Sequence, residues 1–243
     1  MKIKIEPEKF IELMNAGMLH NKGNPLVDPL TISCTSDGML IKDNYALIIG
    51  VYIKIQKEFF KAYEVGEDEL VTIPSVLVKT MGWKSGFGDK EVEIYTGTDN
   101  KIHVDGKTTR YAKEIEVANP QDFPFEMVET DYGFIPKTIK VESSADIKAE
   151  DLVIPSAKDY RFKSDGKTLT VEMESNGNLS HDFQAKIIDN KPIELLVNGE
   201  YYNAIIGNLK GNIRFILHKD MIILIEKNEE YTKVFIVGTM VEE

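Results

Sequence analysis

The tripeptide Ser-Asp-Gly occurs twice, at Ser36 to Gly38 and at Ser164 to Gly166, 128 positions apart in a chain of 243 residues. Asp bonding its own backbone and Gly taking a positive φ make this ordinary turn chemistry, so the tripeptide alone means little. Its surroundings repeat as well. An apolar-rich run follows each copy, and each copy precedes a helix-like stretch by a similar interval. Gly38 lies 33 positions before Val71, read as the entry to a helix, and Gly166 lies 30 before Leu196. Matching punctuation at a spacing of about half the chain restricts the fold to a duplicated unit.

The first copy opens with Pro7 to Met18, where Phe10, Leu13, Met14 and Met18 form a helical stripe and Pro7 suits a first helical position. Strand-like segments follow at YALIIGVYIKI and FFKAYEV, then a second helix in TIPSVLVKTMGW, then strands EVEIYTG, KIHVDG and TRYAKEIEV. The stretch NPQDFPFEMVETDYGFIPK has three prolines and no period, and reads as a connector. The second copy has KAEDLV as a short helix, a hairpin around the second Ser-Asp-Gly, and strand-like SHDFQAKIID and IELLV. A helix then places Tyr202, Ile205, Ile206 and Leu209 on one face, and three closing strands follow. The expected organisation is an α+β fold of two similar domains, 1–118 and 138–243, joined by a connecting loop at 119–137.

Composition narrows the function classes. No apolar run approaches the roughly 20 residues that a membrane helix needs, and MKIKIEPEKF carries no signal-peptide core, so a cytosolic protein without membrane association is expected. The single cysteine, Cys34, excludes an internal disulfide and a cysteine-built zinc site, and its strand-like neighbours make it a core thiol. His20, His103, His181 and His218 are too scattered to suggest a metal. GWKSGFGDK lacks the phosphate-loop pattern, and no carboxylate pair is aligned for acid/base work. No cofactor and no catalysis are expected. The net charge of −11 weighs against a simple DNA binder, yet a protein can be acidic outside and basic on one face.

The repeat and several strings resemble the sliding clamps of the proliferating-cell nuclear antigen (PCNA) family, in patches over nearly the whole chain. They are FFKAYEV with the following helix, KTTRYAKEIEV before the connector, EMVETDY at its end, and the tail TKVFIVGTMVEE with its Val-Glu-Glu ending. The resemblance implies a DNA-clamp (processivity) fold and a trimeric ring with sheets outside and short helices lining a hole for duplex DNA. It implies a non-enzymatic processivity factor for DNA replication and repair. Its implied partners are DNA polymerase, nuclease and ligase clients carrying short peptide motifs, and a clamp loader. Its location would be the cytoplasm, at the nucleoid, or the nucleus where the host has one.

Residue by residue, the resemblance implies three sites. Lys9, Lys79, Lys84, Lys148 and Lys210 fall in or beside the helices and would face DNA without reading its sequence, although plain solvation also places lysines on helix faces. Arg110 and Tyr111 of one subunit would meet Gly177, His181 and Phe183 of the next. Phe125, Met127, Val128 and Tyr132 of the connector, with Ile222, Gly238, Thr239 and Val241, would form the client-peptide pocket; the connector residues could equally be a lid over their own core. Three departures from the family stand out. Thr239 and Ile222 replace usual prolines, and Pro155 cuts the first helix of the second copy short, which puts that lining and Lys158 in question. The competing reading is a β-rich binding protein or enzyme whose acidic surface is its site.

Overall fold

The computed structural model describes residues 1–85, 90–106, 110–114, 123–174 and 179–240, leaving aside the side chains of 82–85, 110, 111, 114, 174 and 190. Two compact units emerge. Unit 1 comprises Met1–Asp43, Tyr52–Phe123 and Asn228–Thr232; unit 2 comprises Asn44–Val51, Pro124–Lys227 and Lys233–Glu243.

Unit 1 begins with β1 (Lys2–Ile5) and α1 (Pro7–Met18), which starts at Pro7 and buries Phe10, Leu13, Met14 and Met18, the stripe expected from the sequence. Two-residue strands β2 (His20–Asn21) and β3 (Asn24–Pro25) lead to β4 (Leu30–Thr35), β5 (Gly38–Tyr45), β6 (Ile49–Gln56), β7 (Ala62–Glu64) and β8 (Glu69–Ile73). Helix α2 (Ser75–Ser85) and strands β9 (Val92–Thr96), β10 (Lys101–Gly106) and β11 (Arg110–Glu114) follow. Asp28, distant in sequence, accepts from Ser75 N at 2.8 Å, setting a carboxylate at the start of α2, where the helix dipole favours it. One sheet runs β7–β1–β9–β10–β11, and four further strands lie in the order β6–β5–β4–β8.

Unit 2 contributes β12 (Met127–Thr130), β13 (Gly133–Pro136), β14 (Ser143–Lys148), a 3-10 turn at Ala149–Leu152, β15 (Asp159–Ser164), β16 (Leu169–Glu174), β17 (Leu179–Asp182), β18 (Lys186–Asn190) and β19 (Ile193–Asn198). Helix α3 (Gly199–Ile206), capped by Asn198 accepting from Glu200 N, then leads to β20 (Asn212–His218), β21 (Met221–Lys227) and β22 (Tyr231–Gly238). Its strands lie in the orders β18–β14–β20–β21–β22 and β17–β16–β15–β19. Strand for strand, these orders repeat those of unit 1, with β14 answering β1, β15 answering β4 and β20 answering β9.

The two Ser-Asp-Gly turns therefore sit between equivalent strands, β4–β5 and β15–β16. In the first, Thr35 Oγ1 accepts from Asp37 N and Gly38 has φ 145°. In the second, Asp165 Oδ1 accepts from Lys167 N and Thr168 N at 2.7 and 2.8 Å, and Gly166 has φ 89°.

The core of unit 2 is aromatic: Phe162 lies 5.2 Å from Tyr202, 5.4 Å from Phe215 and 6.3 Å from Phe183, ring centre to ring centre. Each buried side chain of this kind contributes about 1.5–3 kcal/mol, with about 0.5–1.5 more for a well-placed ring pair.

Four local expectations change. Val71 and Leu196 lie in β8 and β19, just before their helices, because β-branched and apolar residues there serve sheets. The run YALIIG is broken by a turn: Ile48 N donates to Tyr45 O at 3.0 Å, with Ala46 and Leu47 both at positive φ. The stretch read as a connector contains the β12–β13 hairpin. The short helix expected in KAEDLV is a single 3-10 turn. Among the described residues, no helix is long and apolar enough to cross a membrane.

Candidate interaction surfaces

Sheet edges come first, because an unpaired strand presents a row of free backbone donors and acceptors. Strand β11 is an outer strand of its sheet, with Arg110 opposite Asp105 and Tyr111 opposite Val104 of β10; the side chains of both lie outside the described residues, as does Gly177 altogether. Strand β17 is the outer strand of its own sheet, and all four of its residues are exposed, Leu179 at 54%. His181 is exposed there and stands edge-on to Phe183 at 5.3 Å. Phe183 itself is buried and stacks on Phe162, so its side chain belongs to the core of unit 2.

The strands equivalent to these two edges have partners. In the duplication, β22 answers β11 and β6 answers β17. Within unit 2, Gly238 N donates to Ile48 O at 2.8 Å, and within unit 1, Gln56 N donates to Glu230 O at 2.9 Å.

A second surface is apolar and lies in unit 2. Leu47 is 71% exposed, Ile48 38% and Met240 41%. Residue 240 follows Gly238 and Thr239, so the bond from Gly238 to Ile48 brings the tail to the β5–β6 turn. Thr239 N donates to Asp220 O and its hydroxyl to Lys219 O. Tyr45 stands edge-on to Tyr201 at 6.1 Å. Sequence reasoning missed Tyr45, Leu47, Ile48 and Met240 because Ala-Leu is not turn chemistry; the only hint was Asn44, whose Oδ1 accepts from Leu47 N.

The residues expected in one client pocket fall into separate groups. Gly238 and Thr239 belong to this apolar surface, whereas Ile222 is fully buried opposite Leu217. Met127 and Val128 are half-buried on β12, and Phe125 is half-buried just before it. Tyr132, at the tip of the hairpin, donates to Asp189 Oδ2 at 2.6 Å, and that bond raises its pKa above the usual phenol range. Val241 lies outside the described residues.

The helix-face lysines also divide. Lys79 on α2, Lys148 at the end of β14 and Lys210 after α3 are exposed, with Lys148 Nζ 3.6 Å from Glu150. Lys9 is half-buried, its ammonium 5.4 Å from the Phe59 ring centre, a cation–π contact. Lys84 has its backbone in α2 and its side chain outside the described residues. Lys158 is exposed on the extended segment before β15.

Over its whole length the chain superimposes on solved PCNA structures. It matches the A. fulgidus PCNA in a structure with the C-terminal region of FEN-1 bound, with a TM-score of 0.75, 11% identity and coverage of 100% of this chain and 99% of that one. The fold is that of PCNA. A PCNA from Entamoeba histolytica gives a TM-score of 0.78 at 11% identity, covering 99% and 98%. A chain of the PCNA2–PCNA3 complex from Sulfolobus tokodaii gives 0.74 at 16%, covering 100% of both. No family model matches the chain, and none of the curated proteins matches it by sequence. The PCNA fold is thus carried here by a sequence only 11–16% identical to those of the matched structures.

Proposed function

We propose that this chain is a subunit of a DNA sliding clamp, a non-enzymatic ring of three subunits that encircles duplex DNA and tethers replication and repair enzymes. One observation carries the reading. The strands β11 and β17 are outer strands of two different sheets, and each offers a row of backbone donors and acceptors for strand addition. Pairing β11 of one copy with β17 of the next covers both edges. Because the two edges differ, the contact is head-to-tail, the kind that generates rings when the rotation closes. The likeness to PCNA supports closure at three.

In this reading Lys79, Lys148 and Lys210 contact phosphates, and topology rather than affinity holds the ring on DNA, which a net charge of −11 tolerates. Leu47, Ile48 and Met240, with Gly238 and Thr239, receive the aromatic anchors of client peptides, and a clamp loader opens the ring. It works wherever the host keeps its DNA, at the nucleoid in the cytoplasm or in a nucleus. Light scattering coupled to size exclusion tests the assembly: the expected mass is three times 27.5 kDa, falling to one subunit in Tyr111→Ala. Polymerase extension on primed circular DNA then tests function. A monomeric wild type, or a trimer that leaves product length unchanged with its cognate polymerase, refutes the proposal.

A further inference from the structure

One pair of residues in unit 2 joins a structural need to a chemical liability. Asn198 ends β19 and caps α3, its Oδ1 accepting from Glu200 N at 2.9 Å. Gly199 follows because the backbone is crowded there: a Cβ at this position would collide with Ala157 O and Lys158 O. The cap favours Asn and the crowding requires Gly. Together they give Asn-Gly, in which a side-chain amide is most open to attack by the next backbone nitrogen, since glycine puts no side chain in the way. The same contacts block that attack. Closing the five-membered imide needs the Gly199 nitrogen eclipsed with Cβ of Asn198, and at the observed ψ of 126° it is not. Turning the peptide into line would break the 2.7 Å bond from Gly199 N to Lys158 O and pull Glu200 N away from Asn198 Oδ1. Lys158 in turn ends an extended segment held on α3 by Tyr160, whose hydroxyl donates to Pro155 O at 3.0 Å, accepts from Ala157 N at 3.2 Å and lies 3.1 Å from Asn203 Oδ1.

We propose that Asn198 is a fold-gated deamidation site, closed while the first turn of α3 is capped and reactive whenever that turn opens. On opening, the Gly199 nitrogen gives its proton to solvent and attacks Cγ of Asn198. The bond from Cγ to the side-chain nitrogen breaks, and that nitrogen takes a proton from solvent and leaves as ammonia. Water then opens the cyclic imide at one carbonyl or the other, giving aspartate or isoaspartate. Isoaspartate lengthens the main chain by a methylene where β19 turns into α3. Aspartate sets a second carboxylate opposite Asp159, which is 5% exposed and pairs with residue 198 across β15 and β19. Like charges directly opposite destabilise a strand pair. Each product therefore weakens the turn that had protected its precursor, which makes the modification a one-way record of local opening. The site is independent of ring assembly.

The test incubates the full chain in mildly alkaline buffer, natively and in concentrated guanidinium chloride. Peptide mapping by mass spectrometry follows deamidation and separates Asn198–Gly199 from the second Asn-Gly pair at 176–177. Two hydrogen bonds close the gate, so native protein is expected to react at least about thirtyfold more slowly than unfolded protein. Tyr160→Phe keeps the ring and removes the hydroxyl; it should raise the native rate at least about fivefold and leave the rate in denaturant unchanged. Gly38→Ala, which destabilises unit 1, controls for global unfolding and should leave the native rate within about twofold. Equal rates in native and unfolded protein overturn the proposal, as does absence of reaction in denaturant. A rate unchanged by Tyr160→Phe, or raised as much by Gly38→Ala, overturns the local gate too.

Discussion

Lys233 on β22 has no solvent exposure, and its Nζ lies 3.4 Å from Glu226 Oε2 on β21, itself 6% exposed. The ammonium donates to Asn208 O at 3.2 Å, and the same carboxylate oxygen accepts from Lys210 N at 3.0 Å. This buried pair therefore pins the turn after α3 that presents Lys210. Replacing Glu226 by Gln leaves a buried ammonium facing a neutral amide, a change that costs about 3–5 kcal/mol when one partner of a buried pair is lost. Lys233→Met keeps most of the volume and strands the carboxylate, which retains the Lys210 N–H, so its cost falls at the lower end of that range. The double variant Lys233→Met/Glu226→Leu removes both charges and costs less than the sum of the two single ones. What remains is the loss of partners for Lys210 N–H and Asn208 C=O, at about 1–3 kcal/mol apiece where water does not replace them. Urea unfolding followed by far-UV circular dichroism, with equal m-values required across the series, measures all four proteins. A single-variant cost under about 1 kcal/mol, or a double variant as costly as the sum of the singles, would refute the argument that charge compensation holds this turn.

Other perturbations read different parts of the molecule. A Cβ at Gly38 would lie 2.0 Å from Ile55 O at φ 145°, so Gly38→Ala should lower stability by more than about 2 kcal/mol in thermal unfolding. Ala46→Asn with Leu47→Gly installs the residues that the β5–β6 turn prefers; a gain of about 1–2 kcal/mol is expected, with loss of client-peptide binding by calorimetry because Leu47 is gone. Burial pushes the Cys34 thiol up to about 12, so native protein at pH 8 should resist a thiol-reactive dye that labels it readily in urea. Backbone donors from Thr168 and Lys167 hold the Asp165 carboxyl below its ordinary value. A carboxylate depressed in the folded state stabilises above its unfolded pKa and loses that contribution as pH falls through the folded one. The stability gap between wild type and Asp165→Ala should accordingly narrow on acidification below pH ~4.

The duplication was legible because its carriers are local: Ser-Asp-Gly turns, the Phe10–Leu13–Met14 stripe and the Tyr202–Ile205–Ile206 face each follow from residue type and period. The first helix of unit 2 was legible as shortened, through Pro155, though not as a single 3-10 turn. What sequence could not show were contacts made across long separations. The cap of α2 by Asp28 and the anchoring of Tyr132 by Asp189 each join residues far apart in the chain. The β5–β6 turn stayed hidden for another reason. Ala46 and Leu47 pay backbone strain that neighbouring strands impose, and a local reading assigns such residues to a strand.

That strain has a structural consequence. Two-residue hairpins favour Asn-Gly at this turn, and either residue would relieve the positive φ at Ala46 and Leu47. Leu47 nevertheless holds the position and projects its side chain into solvent, beside Ile48 and in the unit that carries Met240. A strained backbone that keeps a large apolar group exposed raises the free energy of the free protein twice, once through φ and once through hydration. Covering Leu47 recovers the hydration part alone. A ligand for this surface therefore gains most from apolar contact at the turn, and substitution of Leu47 by Ala should weaken a client peptide while leaving the bonds from Gly238 to Ile48 and from Thr239 to Asp220 in place.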